Sequence, residues 1–135
     1  MYLVDSSAWI EYLRRTGSRA DAQVTELVER ASPTAGVTEP VIMELLSGAR
    51  DSADFRKLRR LTGAMPLCPI DPVCDYTEGA ALYKLLRSEG LTIRSVTDCL
   101  IAAIAWRRDV TVVHADADFD RIAARYPVQV MSLIG

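Results

Sequence analysis

The apolar run Tyr2-Leu3-Val4 stops abruptly at Asp5, which predicts a short buried strand at the start of the chain. Ser6 and Ser7 then offer N-caps for a helix over residues 8–14, where Trp9, Ile10 and Leu13 recur at helical spacing. Gly17-Ser18 breaks that helix. Val24, Leu27, Val28 and Ala31 stripe a second one, which stops at Ser32-Pro33. Residues 34–37 predict a second strand. Thr38 is placed to cap the next helix, with Pro40 in its first turn, where a missing N–H costs little. That helix carries Val41, Ile42, Leu45 and Leu46 and closes near Gly48. Residues 51–61 repeat the pattern with Phe55, Leu58 and Leu61. Residues 65–70, interrupted by Pro66 and Pro69, predict a short strand. A longer helix follows over 72–88, with Gly90 as its C-terminal cap. Ser95 or Thr97 begins another, carrying Leu100, Ile101, Ile104 and Ala105 and ending in Arg107-Arg108, which suits the negative end of the helix dipole. A strongly apolar strand over 110–113, a short helix over 118–125 and a last strand over 128–133 complete the pattern.

Strands thus alternate with helices, and several strands are continuous apolar runs. That combination predicts an α/β fold with a central, mostly parallel sheet flanked by helices. The 135 residues suit one domain, 1–135, with no linker, repeat or low-complexity tract. In such sheets, sites lie beyond the carboxyl ends of the strands. This rule selects the acids that matter.

Composition narrows the chemistry. The net charge of −2 gives no basic footprint of the kind passive nucleic-acid binders use. It is compatible with a site whose carboxylates await cations. Cys68, Cys74 and Cys99 are odd in number and irregular in spacing, which argues against a disulfide framework. The single histidine, His114, leaves no Cys/His zinc set and no paired-histidine nuclease chemistry. As a lone general base it is a weak candidate. Asp5 and Glu11 interrupt any signal-like apolar stretch, and no apolar segment is long enough to span a bilayer. A cytoplasmic protein is expected.

Asp5 directly follows the first strand among core-like neighbours. A helix cap is its ordinary reading and a metal ligand the sharper one. Asp98 opens a helix, where free N–H groups favour a carboxylate in any case. Asp116 and Asp118 follow the strand over 110–113, so that one can face a site while the other caps the helix. Glu44 lies about 9 Å along its helix from Thr38, at ~1.5 Å per residue, within reach of the same sheet edge. Asp5, Glu44, Asp98 and Asp116, with Asp118 in reserve, form a set of hard oxygen ligands suited to Mg2+ or Mn2+ and to phosphoryl chemistry. Ser6 and Thr97 flank these acids and are placed to orient them or to cap. Arg14, Arg15, Arg50, Arg87 and Arg94 lie near helix ends or loops; some could contact phosphates, but ordinary solvated surface accounts for most of them and none is singled out. Trp9 is better placed for packing than for base stacking.

Four blocks of the chain resemble the PIN-domain ribonucleases, specifically the VapC-type toxins of prokaryotic type II toxin–antitoxin systems. Val4-Asp5-Ser6-Ser7-Ala8-Trp9-Ile10 is similar to the family's opening. Thr38-Glu39-Pro40-Val41-Ile42-Met43-Glu44-Leu45-Leu46-Ser47-Gly48 resembles its second block, Thr97-Asp98-Cys99-Leu100-Ile101-Ala102-Ala103 its third, and His114-Ala115-Asp116-Ala117-Asp118-Phe119 its fourth. The resemblance implies a metal-dependent endoribonuclease with Asp5, Glu44, Asp98 and Asp116 as catalytic acids and Asp118 as a helper at the metal. It implies products bearing a 5′-phosphate and a 3′-hydroxyl. It also implies a homodimer and a toxin–antitoxin hetero-oligomer with a VapB-type antitoxin. The residues alone leave open a DNA nuclease and a catalytically silent partner-binding protein. A dinucleotide-binding domain is excluded, since Asp5-Ser6-Ser7 stands where a Gly-x-Gly-x-x-Gly loop would follow the first strand.

Overall fold

The computed structural model describes residues 1–29 and 34–135. Its strands are β1 (Tyr2–Val4), β2 (Ala35–Gly36), β3 (Thr111–His114) and β4 (Val130–Ser132), in the spatial order β2-β1-β3-β4 with every neighbouring pair parallel. The helices are α1 (Ser6–Arg14), α2 (Arg19–Glu29), α3 (Glu39–Ser47), α4 (Ser52–Gly63), α5 (Asp75–Ser88), α6 (Val96–Arg108) and α7 (Ala117–Ala123). The expected helix end at Ala31 and Ser32-Pro33 lies outside the described residues.

The strands are short because each needs only to thread a two-sided core. Leu3, Val4, Val112 and Val113 are wholly buried, as parallel strands covered on both faces require. From β1 the chain runs to β2 on one side; from β3 it runs to β4 on the other. The carboxyl ends of β1 and β3 therefore flank the crevice where the winding reverses.

Helix α6 is the most buried helix. Cys99 and the residues from Ile101 to Ala105 are all inaccessible. Its alanines allow close approach, and Gly79 of α5 takes this to the limit: a Cβ there would lie 2.9 Å from Leu100 Cα. A fork of hydrogen bonds ties the same helices. Arg107 donates from Nε and Nη2 to the two oxygens of Asp75, each at 2.8 Å, and Nη2 also reaches the Pro69 carbonyl at 2.9 Å. Burial raises the Asp75 carboxyl, but Arg107 and the Asp71 N–H outweigh it and hold the group below its ordinary value.

Several local expectations change. The cap of α1 is Asp5, which accepts from Ser7 N, and not Ser6 or Ser7. Thr38 has cap geometry at α3 but makes no side-chain cap bond. The strand expected over 65–70 shrinks to one parallel bridge between Leu67 and Val37. Proline supplies no N–H, so only the Pro66 carbonyl and Cys68 N–H bond to Val37, at 3.0 and 2.8 Å. Helix α5 begins at Asp75, after a turn, and not at Pro72. Gly90 fulfils its expected role: its φ is +80°, and the Leu91 N–H closes back on the Leu86 carbonyl at 2.9 Å.

Candidate metal centre

Asp5 sits where β1 becomes α1, only 2% exposed. Its Oδ2 accepts from Ser7 N at 3.0 Å and Ser7 Oγ at 2.5 Å. Its Oδ1 is buried with no hydrogen-bond partner among the described residues. Burial raises the carboxyl, the Ser7 hydrogen bonds oppose it, and the charge of Asp116 adds to the rise. Ser7 Oγ also accepts from Ala115 N at 3.0 Å. One hydroxyl therefore couples the loop after β1 to the loop after β3.

Asp98 enters from the first turn of α6, behind the Ser95 cap that accepts from Thr97 N. It is 7% exposed. Its carboxyl is pushed up to about 8, by burial first and then by Asp5, Asp116, Glu44 and Asp118. Glu44 reaches in from α3, with Oε1 held by Ser6 Oγ at 3.1 Å. Burial, then Asp5 and Asp116, raise it too, while Ser6 opposes.

Asp116 caps α7, accepting from Asp118 N on Oδ1 at 3.0 Å, and the same oxygen takes Arg94 Nη2 at 3.0 Å. Asp118 is buried but well supplied. Its Oδ2 accepts from Arg94 N at 3.1 Å and Arg94 Nε at 3.3 Å, and its Oδ1 from Arg121 Nη1 at 2.6 Å. Burial works against ionisation there, yet these bonds hold the carboxyl below its usual range.

One oxygen from each of Asp98, Asp116 and Asp118 lies within 4.8 Å of the others. Asp5 and Glu44 stand outside this tight group, close enough for both charges to raise Asp98. The donor set fits a hard divalent cation on two observations. Asp5 Oδ1 is a buried acceptor with no hydrogen-bond partner among the described residues, and burial and four neighbouring carboxylates push the Asp98 carboxyl up, a cost that a cation would offset.

Sequence reasoning did not foresee Ser7 as a bridge or the Arg94 and Arg121 partners of Asp118. The adjacency of Ser7 to Asp5 was visible, but its reach to Ala115 spans 108 residues. Ser6 orients an acid, as its position suggests; Thr97 contributes its N–H to the Ser95 cap. His114 is wholly buried and burial lowers its pKa. Its Nδ1 accepts from Asp116 N at 3.2 Å, and its ring packs 5.2 Å from that of Phe119. A neutral, inward histidine braces the Asp116 loop and is poorly placed to be a base. Trp9 is 1% exposed, with its ring edge against Tyr12.

Fold and site together define an α/β domain that gathers carboxylates at the switch point of a parallel sheet. The PIN domain model matches residues 2–125, and the chain belongs to the PIN-domain family. It is 44% identical over 123 residues to Ribonuclease VapC11 of Mycobacterium tuberculosis, covering 91% of this chain and 92% of that one. A VapC ribonuclease of Mycobacterium bovis matches at the same identity and coverage. Among solved structures, a chain of VapBC2 from Rickettsia felis, bound to a DNA fragment from its promoter, superposes with a TM-score of 0.75 at 18% identity, covering 97% of both chains. A chain of FitAcB from Neisseria gonorrhoeae gives 0.71 at 22% identity, covering 98% of this chain and 97% of that one. These likenesses establish a shared fold.

Proposed function

We propose that the chain is a Mg2+- or Mn2+-dependent endoribonuclease and the toxin of a toxin–antitoxin pair, with residues 1–135 acting as one domain. The observation that carries this reading is the convergence of buried carboxylates at the β1/β3 crevice, with Asp5 and Asp98 lacking any cationic side-chain partner among the described residues. The 44% identity to named VapC ribonucleases supports RNA as the substrate class.

In this reading Asp5, Asp98 and Asp116 hold the ion, with Glu44 completing the set from α3 and Asp118 bordering it. When bound, a hard divalent cation offsets charge on the phosphodiester and acidifies water. The remaining work belongs to the chain. Ser7 fixes the rotamer of Asp5, Ser6 that of Glu44, and His114 the loop that presents Asp116. The buried walls of the crevice keep the local dielectric low, which strengthens each carboxylate's interaction with a cation.

The partners proposed with this activity are a VapB-type antitoxin, a second copy of the chain in a homodimer and in the toxin–antitoxin hetero-oligomer, and an RNA substrate in the cytoplasm. Met43, Tyr76 and Val96 are exposed around an apolar groove that Pro40 and Leu100 also line, which gives a protein partner surface to cover. No helix of the described residues is long and apolar enough to cross a membrane.

The deciding experiment is cleavage of total cellular RNA by antitoxin-free protein, with and without Mg2+ or Mn2+, beside Asp98→Asn. Discrete cuts that require both the ion and Asp98 are expected. A folded wild-type protein that cuts DNA but not RNA, or that cuts neither, would overturn the reading.

A further inference from the structure

Arg94 is the residue of this centre whose arrangement the proposed hydrolysis leaves unexplained. It lies one position before the Ser95 cap of α6, so the same turn delivers the buried acid Asp98 and this arginine. Its backbone N–H is fixed to Asp118 Oδ2 at 3.1 Å, yet its side chain is 77% exposed. The guanidinium spans two acids, with Nε on Asp118 at 3.3 Å and Nη2 on Asp116 at 3.0 Å.

The two ends of this bridge differ in consequence. Asp118 has a second, shorter ion pair with Arg121 at 2.6 Å and an N–H donor from the Arg94 backbone. It keeps its partners if the Arg94 head group leaves. Asp116 is different: Arg94 is its only side-chain cation among the described residues. The exposed guanidinium thus neutralises an acid of the metal-binding set and is redundant where it would serve stability. An exposed ion pair contributes little to the fold, so releasing it costs little. The group released is a planar fork matched to two oxygens of one phosphate.

We propose that Arg94 is a built-in counter-ion of the carboxylate centre: it occupies Asp116 in the free protein, yields it to the incoming divalent cation, and then contacts the RNA phosphate. This rests on the nuclease reading for its second half only. The anchored backbone and the exposed head group let the side chain swing between the two positions by rotation about its own bonds, with no movement of α6 required.

The test compares Arg94→Ala and Arg94→Lys with wild type, after circular dichroism melts confirm folding. Mn2+ affinity is measured by titration calorimetry without RNA. Affinity for a fluorescent single-stranded RNA is measured by anisotropy with Ca2+ as the ion. Arg94→Ala should bind Mn2+ about 3- to 10-fold more tightly at low salt, with the difference shrinking as salt screens it. It should bind RNA about 10-fold more weakly. Arg94→Lys, which keeps the charge and loses the fork, should match wild type in Mn2+ affinity and fall between the two for RNA. Unchanged or weaker Mn2+ binding by Arg94→Ala, or no Mn2+ binding by wild type, overturns the counter-ion role. Tighter Mn2+ with unchanged RNA affinity overturns the transfer to phosphate. Both effects intact in a wild type that cuts no RNA would refute the nuclease reading and leave the counter-ion standing.

Discussion

In the proposed reading, Asp98 sets stability against function. Its carboxyl titrates near 3.8 when unfolded and at about 8 in the fold, so between those values the folded chain binds the extra proton. The sign follows: a raised carboxylate pKa means that metal-free stability falls as pH rises from about 4 to about 8. Asparagine cannot ionise, so Asp98→Asn should abolish cleavage and yet raise the metal-free melting temperature. The gain should be on the order of 5 kcal/mol at pH 8 and shrink to below about 1 kcal/mol near pH 4. Thermal melts of both proteins across this range check it; a D98N protein less stable at every pH would refute the assignment.

Ser7 offers a second test at this scale. Its hydroxyl donates to Asp5 and accepts from Ala115 N. Ser7→Ala should therefore cost about 1 kcal/mol of stability and roughly 10- to 100-fold in metal affinity or activity, because the acid loses its orienting partner. A loss of stability with unchanged metal affinity would make Ser7 a purely structural bridge.

At the scale of elements, the centre depends on how deeply α6 is seated, because α6 presents Asp98. Helix α5 sets that depth through Gly79, whose missing Cβ lets it lie against the Leu100 backbone. Gly79→Ala must displace one helix, since the neighbour is main chain and cannot rotate away. We expect a loss of about 1–3 kcal/mol, accompanied by weaker metal binding. Chemical denaturation and calorimetry on one preparation check both. An alanine variant as stable as wild type would show that the α5–α6 spacing is soft. The Asp75–Arg107 fork lies further along the same seam and holds the C-terminal end of α6, so the helix is tied at the end remote from its acid.

Over the whole molecule, the carboxylates of four separate segments meet only in the folded state. A divalent cation that binds this arrangement must stabilise it by mass action, by about 2.7 kcal/mol at a hundredfold excess over Kd. Mn2+ should therefore raise the melting temperature of wild type, a chelator should reverse the rise, and Asp98→Asn should show neither effect. The gain should be larger at pH 8 than at pH 6, because the cation must displace the Asp98 proton at the lower pH. A melting temperature indifferent to Mn2+ would remove the metal from the account.

The part of this protein that local pattern determines is large. Apolar runs at Leu3-Val4 and Val112-Val113, helical stripes, and breakers such as Gly17 and Gly90 place the elements, because hydrophobic periodicity and backbone stereochemistry act over a few residues. The rule that parallel sheets expose sites beyond their strand ends then points to Asp5 and Asp116, position along their helices adds Asp98 and Glu44, and the resemblance to the PIN family ties the four together. What the sequence could not decide is how those acids divide their labour. Asp116 and Asp118 are two residues apart and chemically identical. Only the packing of α6 and α7 gives Asp118 its pairs with Arg94 and Arg121, leaves Asp116 as a helix cap beside the exposed Arg94, and buries Asp98 with no cationic partner among the described residues. The strand expected over residues 65–70 dwindled for a related reason: proline limits its hydrogen bonds, and the spare edge of the sheet accepts a single bridge. Local propensity acts through neighbours in the chain, whereas charge, burial and hydrogen-bond supply depend on groups brought from many residues away, and those are settled when the tertiary structure forms.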